Sequence, residues 1–435
     1  MSVLQDVRAI ARAFPCIVLG CVLAGGCESE QDAVKFASRS LTRKEMQGAP
    51  RAATTPIVTR SRTPSYYALF VDGSQSMAGY VGCRVQPTEF DEILDRLSVD
   101  LGVTSLNRFG SVAGSKELLR ASAIDAAVHC PPFYDRAQNP DAELFRRFLE
   151  DSTGQIHLYV TDGVQSDLSA TQSPSVNVLR EWIGSGRPLA VLAFRSRFTG
   201  RGWSEARKKW AGEWRATDRP FYLYIFAPSD AMLDRTIGRL SSDVRARSEL
   251  IRFGDAATRC NASPASIPRS ATDASPPWLL LSASTTARLL KHPLPIVEIS
   301  CAVLAGSPLA RIQFSADSVK YGRWTGAGFA YPAPVPSGVT IKGDSVASER
   351  SGFRTYVTMQ LVDDATTRFG YFALQLIPTS IQLNAHVSEL STNSDADVSS
   401  AGKTYRFAWV IEQLLRAQIE HNLPRLDFFL TTTYR

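Results

Sequence analysis

The chain has 435 residues, which is long enough for two folded domains with sizeable cores and additional flexible segments. Hydrophobic residues make up 44% and charged residues 21%, as is ordinary for a soluble globular protein. This composition excludes a low-complexity or wholly disordered chain. The net charge of +6 is small for this length, so charge is informative only where it is concentrated.

The first 27 residues have the pattern of an export signal. Basic residues precede an apolar run, 14–23, which is too short to span a membrane comfortably and is followed by small residues and Cys27. This pattern resembles a bacterial lipoprotein signal, in which the cysteine becomes the lipidated first residue of the mature chain. We therefore predict a signal peptide over residues 1–27 and lipidation at Cys27. Cys21 is a second candidate for lipidation, and an uncleaved membrane anchor is the alternative to cleavage.

The residues after Cys27 predict a location and a tether. Glu28 stands where lipoproteins retained at the inner membrane carry Asp, so the resemblance implies an outer-membrane lipoprotein facing the periplasm or the cell surface. Residues 28–64 contain few large apolar side chains and cannot bury enough surface to fold. We predict that they form a disordered tether between the membrane and the folded part.

Cysteine usage agrees with export. Three of the seven cysteines lie in the signal, and four remain: Cys83, Cys130, Cys260 and Cys301. An even number in an oxidising compartment predicts two disulfides, which can pair in three ways. We prefer Cys83 with Cys130 and Cys260 with Cys301, because each bridge then stays within one domain. None of the spacings is Cys-x-x-Cys, which argues against a zinc site.

The first part of the folded chain is organised around segment 66–77. An apolar and aromatic run typical of a buried strand ends in Asp72, Ser74 and Ser76, whose side chains point the same way in an extended loop. One carboxylate and two hydroxyls at a strand end suit Mg²⁺, a hard cation that takes oxygen ligands and few carboxylates. The alternative is a Ser/Gly turn in which a serine caps the next helix.

Strands and helices alternate through residues 65–245. A second buried strand, 156–163, contains Asp162 at its end, and apolar strands are predicted at 188–194 and 221–226 with helices between. This alternation predicts an α/β fold: a doubly wound, mainly parallel sheet covered on both faces. Because ligands of such sheets bind at the carboxyl ends of strands, Asp72 and Asp162 lie at the expected edge.

These two strand ends resemble the metal-ion-dependent adhesion motif of von Willebrand factor A-type domains. The resemblance rests on Phe70-Val71-Asp72-Gly73-Ser74-Gln75-Ser76-Met77 and on the later Thr161-Asp162-Gly163. It implies that Asp72, Ser74 and Ser76 hold Mg²⁺ (or Mn²⁺ or Ca²⁺), with Asp162 acting through a water or hydroxyl. It also implies an open coordination position for an acidic group of a partner.

The sequence departs from this family at one ligand. The family supplies a threonine from a loop between the two motifs, and residues 108–150 contain no threonine. Asn139 and Asp141 fall where that loop is expected and are candidates for an additional metal shell. Capping of the helix that begins there explains these two residues equally well.

Segment 195–219 holds most of the net positive charge of the chain. Its Lys and Arg residues are interleaved with Trp203, Trp210 and Trp214, which approach helical spacing. We predict a helix that packs its tryptophans and exposes its charges. The functional alternative is a contact surface for an anionic partner such as lipid headgroups, lipopolysaccharide or an acidic protein.

The C-terminal part predicts a second domain of another type. Residues 246–277 are interpreted as a linker, because their later part is rich in small and polar residues. Short β-favouring runs separated by Pro/Gly/Ser/Asp turns then predict a β-rich domain over 278–435. Within it, 404–419 has apolar residues at helical spacing and predicts a C-terminal amphipathic helix docked on this domain.

The predicted function is binding. We expect an exported, lipid-anchored envelope protein, and not an enzyme, that binds a protein or surface ligand offering an acidic group to the metal. A metal-assisted hydrolase using the same acids is one alternative, and a structural envelope component with a vestigial site is another. Nucleic acid is not expected as a partner, because export and the absence of a recognised binding motif argue against it.

Overall fold

The computed structural model describes residues 67–83, 85–103, 106–109, 119–121, 126–134, 141–163, 173–255, 257–264, 278–281, 294–324, 329–333, 339–349, 352–361, 369–394, 402–422 and 426–431. The predicted signal peptide and tether lie outside these residues, as do Cys21, Cys27, Asn139 and segment 265–277. Among the residues described, no helix is long and apolar enough to cross a membrane.

Seven strands form the first sheet, in the spatial order β3–β2–β1–β4–β6–β5–β7. They are β1 (Tyr67–Asp72), β2 (Leu106–Phe109), β3 (Leu119–Ala121), β4 (Ile156–Thr161), β5 (Leu189–Ser204), β6 (Lys209–Phe226) and β7 (Glu249–Phe253). β1 pairs in parallel with β2 and with β4, and the other neighbours are antiparallel. The sheet is therefore mixed, with a parallel part made of β2, β1 and β4.

Helices cover both faces of this sheet, as expected for an α/β fold. The helices of the described residues are α1 (Glu89–Leu101), α2 (Asp141–Glu150), α3 (Pro174–Gly184), α4 (Asp230–Arg239), α5 (Ser242–Ala246), α6 (Ala385–Glu389) and α7 (Phe407–Asn422). α1, α4 and α5 pack on one face, and α2 and α3 on the other. Alternate residues of β1 supply the two cores, since Leu69 and Val71 face the first set and Phe70 faces the second.

The helix predicted within 195–219 is wrong, because these residues continue β5 and β6 as a long hairpin. Burial alternates along β5, where Ser196 and Phe198 are buried while Arg197 and Thr199 are exposed. Trp203 lies opposite Trp210 across the hairpin, so the spacing of the tryptophans reflects cross-strand pairing. The short turn after β5 makes β5 and β6 antiparallel neighbours. In the sheet, β6 lies between β4 and β5.

The hairpin packs closely on the turn that follows β1. This turn is a 3-10 helix, Gln75–Tyr80, and the rings of Tyr80 and Phe198 meet edge to face at 5.0 Å. A Cβ atom at Gly79 would lie 2.4 Å from a ring carbon of Phe198, so glycine is required for this approach. The packing brings the basic hairpin next to Asp72, Ser74 and Ser76.

The remaining strands form two further sheets and a short pair. Their orders are β13–β14–β10–β8, β12–β11–β15–β18–β9 and β16–β17. The strands are β8 (Thr258–Pro264), β9 (Trp278–Leu281), β10 (Leu294–Val303), β11 (Leu309–Trp324), β12 (Phe329–Ala333), β13 (Val339–Glu349), β14 (Gly352–Leu361), β15 (Phe369–Leu383), β16 (Ser391–Thr392), β17 (Thr404–Tyr405) and β18 (Leu426–Thr431). Part of the segment interpreted as a linker is thus structured: β7 joins the first sheet and β8 the second.

The C-terminal helix α7 joins the two parts of the chain. It packs against β15 and β8 and also against α3, so Leu414 and Leu415 share one core with Leu179 and Trp182. The side-chain amide of Gln418 donates to the carbonyl oxygens of Gly254 and Thr258 at 2.7 and 2.9 Å. The sequence predicts docking on the C-terminal part, and the contact with α3 is additional, because amphipathicity does not identify every surface that receives a helix.

Two disulfides are present, with the pairing preferred from the sequence. Cys83 is bonded to Cys130, next to the turn that follows β1, and Cys260 is bonded to Cys301 across the paired strands β8 and β10. The prediction of disulfide bonds is therefore confirmed.

Candidate functional site at the carboxyl edge of the sheet

The ends of β1 and β4 form a closed, hydrogen-bonded corner. Asp72 accepts hydrogen bonds from the backbone N–H of Ser74 at 2.8 Å and from the hydroxyl of Thr161 at 3.0 Å. The hydroxyl oxygens of Ser74 and Ser76 lie 2.9 Å apart. These residues and Asp162, here called the strand-end corner, are all buried. They meet because β1 and β4 are parallel neighbours whose carboxyl ends lie at the same edge.

Burial changes the protonation of Asp72. Loss of hydration, and secondly the negative charge of Asp162, raise the pKa of Asp72 from 3.8 to about 7. The hydrogen bonds from Ser74 and Thr161 lower it and offset only part of this effect. The first acid of the motif therefore gains a proton more readily than a free carboxyl group.

An arginine supplies the positive charge beside the second acid. The Nη2 atom of Arg219 lies 3.9 Å from Oδ2 of Asp162, and both side chains are buried. The guanidinium group of Arg219 also lies over the rings of Phe198 and Trp214, with distances of 4.7 and 4.8 Å to the ring centroids. The aromatic faces and the carboxylate offset part of the free-energy cost of removing this cation from water.

The predicted Mg²⁺, Mn²⁺ or Ca²⁺ site is wrong. Among the described residues, no group of three or more His, Cys, Asp and Glu side chains is placed to hold a metal ion. The corner brings together the carboxylates of Asp72 and Asp162, and Arg219 stands opposite the second. Asp141, a candidate for an additional shell, instead accepts a hydrogen bond from the hydroxyl of Tyr159 at 2.7 Å. Asn139 lies outside the described residues.

The C-terminal segment covers this corner. The hydroxyl of Tyr222 on β6 donates to the hydroxyl oxygen of Thr404 at 2.9 Å, and Thr404 donates to the carbonyl oxygen of Asp162 at 3.4 Å. The ring of Phe407 stacks on that of Tyr222 with centroids 4.4 Å apart. The corner is therefore part of the interface between the first sheet and the C-terminal part.

An open groove of about 730 Å³ lies beside the corner, on the basic hairpin. Its walls come from β5, β6 and the segment before β17. Four basic and two acidic side chains line it: Arg195, Arg197, Arg215, Lys403, Asp218 and Glu389. We call it the basic groove.

The four cations of the basic groove differ in their partners. Arg195 lies 3.7 Å from Asp218, and Arg197 lies 3.3 Å from Glu89. Within the described part of the chain, Arg215 and Lys403 form no ion pair, and both are exposed. These two positive charges are therefore free to interact with an anionic group.

Sequence reasoning missed three residues of this region. Arg219 was assigned to the charged face of a helix, although it stands directly before the apolar run of β6. Thr161 belongs to the Thr-Asp-Gly motif, but its hydrogen bond to Asp72 can be predicted only once β1 and β4 are known to be neighbours. Thr404 lies far away in sequence, and no local pattern marks it.

Comparison with known families finds no family model that matches the chain, and comparison with the curated proteins finds no match.

Proposed function

We propose that this protein is a cell-envelope binding protein whose basic groove takes an acidic group of a protein partner. The observation that supports this proposal is the pair of exposed cations, Arg215 and Lys403, which come from different parts of the chain and line one groove. Exposed cations that line one concave surface raise the local positive potential and favour the binding of an anionic group. The partner's carboxylates would be recognised by these side chains and not by a metal ion.

The envelope location is part of the same proposal. It is supported by the lipoprotein-like N-terminal sequence and by the two disulfides, which persist in oxidising compartments. Replacing Cys27 by Ala should abolish incorporation of radiolabelled palmitate into the protein, whereas Cys21→Ala should leave it unchanged. Retained labelling of the Cys27 variant would refute lipidation at this residue.

We further propose that residues 65–245 are a divergent relative of von Willebrand factor A-type domains. The parallel pairing of the two motif strands and the helices on both sheet faces support this relationship. Arg219 would then provide the positive charge at the position where the family holds its cation.

The groove is tested with a defined acidic ligand. A fluorescein-labelled octaglutamate peptide is titrated with the full chain, and binding is followed by fluorescence anisotropy at low and high salt. Arg215→Glu combined with Lys403→Glu should weaken binding by more than about tenfold, because each reversal replaces attraction by repulsion. High salt should weaken binding to the unaltered protein.

A matched charge reversal controls for net charge. Arg235→Glu combined with Arg245→Glu changes two exposed cations on α4 and α5, away from the groove. Binding should stay within about twofold of that of the unaltered protein. Equal losses in both double variants would show that only net charge matters, and the groove would then not be the site.

A further inference from the structure

The outward face of the β5–β6 hairpin continues from the basic groove to a pair of tryptophans. Thr199 and Arg215 are opposite each other at the groove, followed along the hairpin by Arg201 opposite Glu213. Trp203 and Trp210 come next and are also opposite each other. The pairs therefore succeed one another along one hairpin.

The tryptophan pair presents partly exposed aromatic surface. The ring centroids of Trp203 and Trp210 lie 5.4 Å apart at an interplanar angle of 82°, so one ring meets the other edge to face. The guanidinium group of Arg201 lies 4.9 Å from the centroid of Trp210. Both rings are half-buried, whereas Trp214, which lies on β6 with Trp210, is fully buried. This difference separates a core tryptophan from two that retain surface for a contact.

We propose that Trp203 and Trp210 form an aromatic subsite next to the basic groove, and that the partner is an acidic peptide segment that also carries an aromatic side chain. This inference rests on the proposed function and names the class of ligand. Trp and Arg are the residues that contribute most often to the binding energy of protein interfaces. An aromatic side chain packed on this pair gains both apolar burial and ring–ring contact.

The strand geometry gives the spacing that the ligand needs. Thr199, at the groove, and Trp203 are four residues apart, and a strand rises by about 3.3 Å per residue, so the two subsites are separated by roughly 13 Å. A ligand in extended conformation covers the same distance with about four residues. The inferred ligand therefore has an acidic cluster with an aromatic residue about four positions away.

Three labelled peptides test this spacing against the full chain. One carries four glutamates only, the second has a phenylalanine four residues from the glutamates, and the third has it directly adjacent to them. The second peptide should bind about five to ten times more tightly than the other two, the increase expected for one aromatic contact. Equal affinity of all three would overturn the inference and leave the proposed function intact, whereas binding of none would overturn both.

Substitutions of Trp210 test whether the tryptophan pair causes the tighter binding of the second peptide. Trp210→Ala should abolish the advantage of the second peptide without changing affinity for the glutamate-only peptide, and Trp210→Phe should retain it. If Trp210→Ala lowers the affinity for all three peptides equally, the tryptophans only support the hairpin, and the subsite is refuted. Vesicles containing anionic phospholipid are a competitor in the same assay. Their displacement of the second peptide through Trp210 would assign the face to a lipid surface and overturn the inference.

Discussion

Replacing Asp72 by Asn tests whether the strand-end corner is a closed structural element. The raised pKa means that between about pH 4 and pH 7 the folded chain holds a proton that the unfolded chain has lost. The free energy of unfolding must therefore fall as the pH rises through this range. The full rise from 3.8 to about 7 corresponds to about 4 kcal/mol, about half of which is lost between pH 5 and pH 7.

Asparagine removes this penalty and keeps the local contacts. Its side-chain oxygen can accept the hydrogen bond from the backbone N–H of Ser74, and its amide can donate to the hydroxyl oxygen of Thr161. The variant should be close in stability to the unaltered protein near pH 5. At pH 8 it should be more stable, with the difference between the two proteins growing by about 3 kcal/mol over this interval.

Urea denaturation followed by circular dichroism at pH 5 and pH 8 measures this difference, with the disulfides intact. Asp243→Asn on α5 is the control, because it removes one carboxylate that is largely exposed. A variant at position 72 that is less stable at pH 8, or whose stability difference does not change with pH, would refute the reasoning. A difference that does not change with pH would mean that Asp72 is already ionised at pH 5 in the folded protein.

Three further perturbations test the elements around the corner, each measured by urea denaturation. Arg219→Leu leaves the buried carboxylate of Asp162 without its cation and should cost about 3 kcal/mol or more, whereas a loss below about 1 kcal/mol would mean that the pair is solvated. Cys83→Ser with Cys130→Ser opens a loop with a sequence separation of 47 and should lower the free energy of unfolding by about 4 kcal/mol. No change in this free energy would mean that the bond is absent. Thr404→Val removes the acceptor of a buried tyrosine hydroxyl and should cost about 1 kcal/mol; a neutral result would show that this segment does not hold the corner closed.

The sequence predicted the strands around the two motifs because their signals are local. Apolar runs that end in Asp72 and Asp162 are read from neighbouring residues, and the parallel pairing of the strands follows from the intervening helices. The pairing of Cys83 with Cys130 was also preferred from the sequence, since the shorter loops join residues of one domain.

The predicted metal site failed for a non-local reason. Whether two carboxylates bind a cation depends on what faces them, and Arg219 reaches Asp162 only because β6 inserts beside β4. The hairpin that places β6 beside β4 was not predicted, because the tryptophans at positions 203, 210 and 214 are seven and four residues apart. This spacing matches a helix. In a hairpin, the turn sets the register of the two strands, and the register decides which of these tryptophans lie opposite each other.

The two sets of charges near the carboxyl edge serve different ends. In the corner, the buried carboxylate of Asp162 faces the buried guanidinium group of Arg219, so each offsets part of the other's lost hydration. Arg215 and Lys403 are exposed and line one groove. We therefore propose binding at the groove and a structural role for the strand-end motif.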